Sequence, residues 1–135
     1  MATLNQAAGL YIHIPFCARK CPYCDFYSIT DASLQTDYLE ALLLEMSLCR
    51  PWKTVFDTIY LGGGTPSVLS AKAIRRFVAA AHDAFAIQKH AETTIEVNPG
   101  TIDAAKLTAY RQAAINRINI GIQSFDPANL AFLGR

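Results

Sequence analysis

The sequence predicts an α/β fold built on a parallel sheet, with one polar face that holds a ligand. Three observations carry that expectation. Short apolar runs alternate with longer segments of helical period, the rhythm of repeated βα units. The strand candidates Leu10 to Pro15, Asp57 to Leu61, Thr93 to Asn98 and Arg117 to Gln123 each place apolar residues on one side and polar residues on the other. At 135 residues the chain is too short for an eight-stranded barrel of typically about 250 residues, and it stops at AFLGR inside a predicted fourth helix. We therefore expect about four parallel strands with intervening helices, the front part of a larger barrel or half-barrel.

Each strand repeats the same division. Leu10, Ile12 and Ile14 oppose Tyr11 and His13; Ile59 and Leu61 oppose Thr58 and Tyr60. Ile95 and Val97 oppose Thr94, Glu96 and Asn98, while Ile118, Ile120 and Ile122 oppose Arg117, Asn119, Gly121 and Gln123. A parallel sheet covered by helices on both faces would read as nearly continuous apolar runs. A polar second face points to a concave surface, since Glu96, Arg117 and Gln123 are costly in a packed interior without partners. An antiparallel sheet with one wet face is the alternative, and the alternation of short strands with long helices disfavours it.

The helices follow from spacing. Leu39, Leu42, Leu43 and Met46 form one apolar stripe, and Ile74, Phe77, Val78, Ala81 and Phe85 another, which starts after the N-cap candidate Ser70. A third helix that carries Leu107 and Tyr110 is predicted from about Asp103 to Ala114, and a fourth begins at Asp126-Pro127, with proline at the favoured first position.

Composition excludes several functions. The net charge is +1 and no basic run occurs, so neither nucleic acid nor an anionic membrane surface is an expected partner. The opening MATLNQAAG lacks the charged and apolar regions of a secretory leader, and no apolar run approaches the roughly 20 residues that span a bilayer. A cytoplasmic location is expected, where thiols stay reduced and clustered cysteines serve as metal ligands or catalytic groups.

Cys17, Cys21 and Cys24 form C-x3-C-x2-C in the loop after the first strand. Structural zinc takes four ligands. Cys49, the remaining cysteine, lies on the stripe of Leu42 and Met46 and reads as a small buried hydrophobe. His13 could complete a Cys3His zinc site, yet its place beside Tyr11 suits it better to line the pocket. A redox pair of Cys21 and Cys24 would leave Cys17 unexplained. An iron-sulfur cluster with one iron open to an outside ligand fits three thiolates best. Gly62-Gly63-Gly64-Thr65-Pro66, after the second strand, lets the backbone approach a ligand and adds a hydroxyl.

The cysteine string, with Tyr23 just before its last cysteine, resembles the signature of the radical S-adenosylmethionine (SAM) superfamily. YIHIPFC (Tyr11 to Cys17), YLGGGTPS (Tyr60 to Ser67), EVNPGT (Glu96 to Thr101) and NIGIQSFD (Asn119 to Asp126) are similar to the group of oxygen-independent coproporphyrinogen III oxidases and their HemW-type relatives. The resemblance covers nearly the whole chain. It implies the N-terminal portion of a partial (β/α)6 radical SAM barrel over residues 1–135, a [4Fe-4S] cluster on Cys17, Cys21 and Cys24, and SAM on the fourth iron. It further implies SAM contacts at Tyr11, Tyr23, Gly63, Gly64, Thr65, Glu96, Gln123 and Arg135. In this chemistry the reduced cluster gives an electron to SAM, whose C–S bond breaks to methionine and a 5′-deoxyadenosyl radical. The oxidases carry a further cysteine two residues after the third ligand and a long N-terminal extension; here Asp25 and Phe26 follow Cys24 and nine residues precede the first strand. Both departures resemble the HemW type, which implies heme or a porphyrin and a heme-acceptor protein as partners. An oxidase of porphyrin biosynthesis and a zinc-stabilised binding module are the alternatives.

Overall fold

The computed structural model describes residues 8–50 and 53–135; most of the opening stretch read above for a leader lies outside them. Four strands, β1 (Ala8–Ile14), β2 (Val55–Gly63), β3 (Ala86–Val97) and β4 (Arg117–Ile120), form one sheet in the order β1-β2-β3-β4. Every neighbouring pair is parallel. The connections carry α1 (Gln35–Leu48), α2 (Ala71–Ala84) and α3 (Ala104–Gln112), and α4 (Pro127–Phe132) follows β4.

Local chemistry starts α2, α3 and α4 where the sequence places them. The Ser70 hydroxyl accepts from the Ala73 amide at 3.2 Å and opens α2. Asp103 does the same for Lys106 at 2.7 Å and opens α3. At α4 the Asp126 carboxylate takes the Ala128 and Asn129 amides at 2.8 and 3.0 Å, with Pro127 in the first turn, where its missing N–H costs nothing.

One face of the sheet is dry. Ile12, Ile14, Phe56, Ile59, Leu61, Ile95 and Val97 pack against Met46 of α1, Ile74, Phe77, Val78 and Ala81 of α2, and Tyr110 of α3. Each large side chain fully removed from water there contributes about 1.5–3 kcal/mol. The other face carries Tyr11, Tyr60, Glu96 and Asn119. Facing residues on adjacent strands share a row in the register, as Tyr11 does with Tyr60 and Glu96 with Asn119.

β1 and β2 each begin two residues before their predicted starts, and the larger departures from the sequence reading are in β3 and β4. β3 begins at Ala86, not near Thr93, because its polar first half AIQKHA has no strand period and is set by pairing with Val55 and Phe56. β4 ends at Ile120, not Gln123: after the Gly121 amide bonds Val97 O at 2.9 Å, Ile122 and Ser124 turn back onto Ile120 O and Ile122 O. Ile118 and Ile120, on the apolar side of β4, and Ile122 just after it are 36%, 46% and 37% exposed, because β4 is the edge strand of the sheet.

Candidate cofactor site

Beyond the C-terminal ends of the strands lies a cleft of about 1140 Å³. Its walls come from the loop after β1, the end of β2 with its glycine loop, the end of β3 and the turn after β4. Cys17, Cys21, Cys24, Tyr23, Gly63, Gly64, Thr65, Glu96, Gln123 and Arg135 all line it. A shallower cavity of about 250 Å³ at the opposite end of the sheet, near His82, Lys89 and His90, has neither thiol nor carboxylate in its lining.

All four thiols are free. The segment that ends in Cys17 is pinned from two sides. On one, the Gly64 amide donates to Ile14 O at 2.8 Å and the Thr65 amide to Phe16 O at 2.7 Å; on the other, Cys17 N donates to Ile29 O and Ile29 N to Pro15 O, both at 2.9 Å. Cys21 and Cys24 share a turn closed by Cys24 N to Cys21 O at 3.0 Å. Among the described residues, no three of His, Cys, Asp and Glu converge tightly enough to hold a single metal ion. Cys49 sits at the end of α1, packed against the core, where the sequence placed it.

Packing against β1 by itself requires two of the glycines. A Cβ on Gly63 would lie 2.5 Å from the His13 ring, and one on Gly64 2.6 Å from Pro15 O. Gly63 also has φ +118°, a conformation that side chains rarely adopt. The glycine loop is thus pressed onto β1, and its other side forms the wall of the cleft.

Glu96 organises the polar face. Its carboxylate accepts from the Tyr60 hydroxyl at 2.7 Å and the Gly63 amide at 3.1 Å, and Asn119 donates to Tyr60 Oη at 3.1 Å. Burial, then the Glu96 hydrogen bond, pushes the Tyr60 phenol up. Burial, then the Glu96 charge, does the same to Tyr11. Gln123, with φ +70°, sits in the turn after β4, and strain of this kind concentrates at ligand sites. Arg135 reaches back 112 residues to the cysteine loop: its Nε donates to Tyr23 Oη at 3.0 Å, and the guanidinium lies 6.0 Å from the Tyr23 ring centre.

Two expected pocket residues lie outside the cleft lining. Tyr11 stacks on Tyr60, ring centres 6.0 Å apart, and its hydroxyl shares a hydrogen bond with His13 Nδ1 at 3.1 Å. His13 is covered by Gly63, so its imidazole is packed beneath the end of β2, and its buried Nε2 has no hydrogen-bond partner. Sequence reasoning put Tyr60 on the polar face but not among the site residues, and it missed the group Ser67, Asn98, Thr101 and Lys106. The face that Tyr60 shares with Glu96 was the signal that could have paired the two; no sequence signal marks the other four as a group.

Residues 11–135 match the radical SAM superfamily. The chain belongs to the radical SAM superfamily. Its radical SAM relatives include the heme chaperone HemW of Escherichia coli K12, 41% identical over 131 residues, with 94% of this chain and 35% of that protein covered. Another is the oxygen-independent coproporphyrinogen III oxidase of Paracoccus denitrificans, 34% identical, with 97% and 30% covered. Among solved structures, coproporphyrinogen III oxidase (HemN) from Escherichia coli, described as a radical SAM enzyme, superposes with a TM-score of 0.87 at 31% identity over 99% of this chain and 32% of that one. The chain thus spans about a third of the length of these relatives. Radical SAM membership implies a [4Fe-4S] cluster and SAM. The donor set suits them: three free thiols share one cleft with a carboxylate, a guanidinium and a carboxamide. Among the described residues, no helix is long and apolar enough to cross a membrane.

Proposed function

We propose that this chain holds a [4Fe-4S] cluster on Cys17, Cys21 and Cys24 and SAM beside it, and serves a HemW-type protein that delivers heme to an acceptor protein. The observation that carries the reading is the gathering of all three thiols with Gly63, Gly64, Thr65, Glu96, Gln123 and Arg135 around one cleft. When bound, the cluster and SAM supply electron transfer and a primary carbon radical. The chain's own contribution is to bind and orient. Arg135, a fixed planar donor, suits a carboxylate. Glu96 still has lone pairs for hydroxyl or ammonium donors after taking Tyr60 and Gly63, and Gln123 offers both a donor and an acceptor. Tyr23 holds the cysteine loop against Arg135. Tyr11 is the one proposed SAM contact that needs a ligand long enough to pass beyond the cleft lining.

HemW-type delivery is favoured over porphyrinogen oxidation by identities of 36–41% to several heme chaperones and by Phe26, which stands 72% exposed where the oxidases carry a cysteine. The test is anaerobic reconstitution followed by Mössbauer spectroscopy, heme titration and assays with SAM and coproporphyrinogen III. A [4Fe-4S] spectrum, heme binding and no decarboxylated porphyrinogen are expected. Zinc without iron or sulfide would overturn the reading in favour of a zinc-stabilised module, and anaerobic decarboxylation would replace it by the oxidase.

A further inference from the structure

The three cysteines are not equivalent, and the difference lies in Thr65. Its hydroxyl is 3.5 Å from Cys17 Sγ, within hydrogen-bonding range for sulfur. The contact does not rest on a mobile side chain alone. Thr65 N is bonded to Phe16 O and Gly64 N to Ile14 O, so the residue that carries the hydroxyl is stitched by its backbone to the peptide that carries the thiol. Gly64 permits this approach, since any Cβ there would meet Pro15 O and Phe16 O within 2.7 Å. Cys21 and Cys24 are given no side-chain hydrogen bond of this kind among the described residues.

We propose that Thr65 is a positioning residue for Cys17: it donates its hydroxyl hydrogen to the thiolate, holds that ligand ready for the cluster, and raises the cluster's reduction potential. This rests on the functional reading above and adds a role that the resemblance does not give, because the resemblance places Thr65 against SAM. The two roles use different parts of one hydroxyl. Its single proton goes to sulfur, and its lone pairs stay open to an ammonium donor. A hydrogen bond to a cluster thiolate removes electron density from the sulfur and favours the more negative, reduced cluster. Thr65→Val keeps shape and removes the donor; Thr65→Ser keeps the donor.

The experiment is a redox titration of the reconstituted protein, without SAM, followed by electron paramagnetic resonance, with iron and sulfide counted and folding checked by circular dichroism. T65V is expected to shift the one-electron equilibrium about tenfold toward the oxidised cluster, about 59 mV, and T65S to match the wild type. A folded T65V that takes up no cluster while T65S takes up a full one also supports the assignment. An unchanged potential in T65V overturns it, as does a T65S potential displaced as far as that of T65V. A wild-type chain that takes up no cluster overturns the functional reading itself, so the two failures are distinct.

Discussion

Tyr110 is 1% exposed, and its hydroxyl is buried without a hydrogen-bond partner. Burial pushes the phenol up to about 12, because the phenolate would lose its hydration inside the core. In the unfolded chain a tyrosine ionises at about 10. Between these values unfolding releases a proton, so the stability this group contributes is fully present below about pH 10 and is lost as pH rises through its folded value. Tyr110→Phe removes an unsatisfied buried hydroxyl while it keeps the ring. The expected outcome is unchanged or greater stability at neutral pH, by up to about 1–3 kcal/mol. A shallower loss of stability above pH 10 should accompany it, read by urea unfolding at several pH values; a marked destabilisation at neutral pH would show that the hydroxyl has a partner. Gly63 presents the opposite case. With φ +118° and His13 in the space a Cβ needs, Gly63→Ala meets both strain and collision. A loss of about 1–3 kcal/mol is expected from the backbone alone. His13→Ala in the same chain should relieve the collision but not the strain, so the double variant should recover only part of the loss in thermal unfolding.

Among the elements, the glycine loop after β2 and the turn after β3 act as one wall of the cleft because α3 ties them. Lys106 donates to Thr101 O at 3.0 Å and to Ser67 O, the Asn98 amide donates to the Ser67 hydroxyl at 3.2 Å, and Ser67 meets Thr101. Burial holds the lysine's pKa below its usual value, which marks an ammonium that has given up water for these carbonyls. Lys106→Met removes the donors and leaves the stem, and hydrogen bonds from a charged group contribute about 1.5–3 kcal/mol. Faster amide hydrogen exchange at Asn98 and Thr101, with exchange in β1 unchanged, is expected; protection equal to the wild type at both amides would show that the tie carries no load. This tie illustrates what the sequence could not disclose. The helix starts at Ser70, Asp103 and Asp126 were legible because a cap and its helix are neighbours in the chain. The cysteine group was legible because three thiols share one short loop, and Glu96 because strand alternation fixes its face. Lys106 with Ser67, and Arg135 with Tyr23, join residues far apart in sequence whose types are ordinary on any surface, so only the assembled sheet brings them together.

At the scale of the molecule, the sheet has one well-covered half and one open half. β1 to β3 have their apolar side under α1, α2 and α3, whereas Ile118 and Ile120 of β4 and Ile122 after it stand partly in water, with Phe125 and Phe132 beyond them 89% and 87% exposed. β4 also lies at the edge of the sheet, paired on one side by β3. An edge strand offers unpaired amides and carbonyls, and one that also carries apolar side chains is a template for another strand. It bears few of the usual protections: within β4 the only charge is Arg117, whose guanidinium already pairs with Glu92 at 3.4 Å. The 135-residue chain in isolation should therefore self-associate through β4 as its concentration rises. Ile118→Thr with Ile120→Thr keeps strand propensity and removes most of the apolar side. Sedimentation velocity should show the wild-type chain growing heavier with concentration and the double variant holding its monomer mass to severalfold higher concentration. Association of the same strength in both would place the contact elsewhere, with exposed Leu44 and Leu48 on α1 the next surface to change.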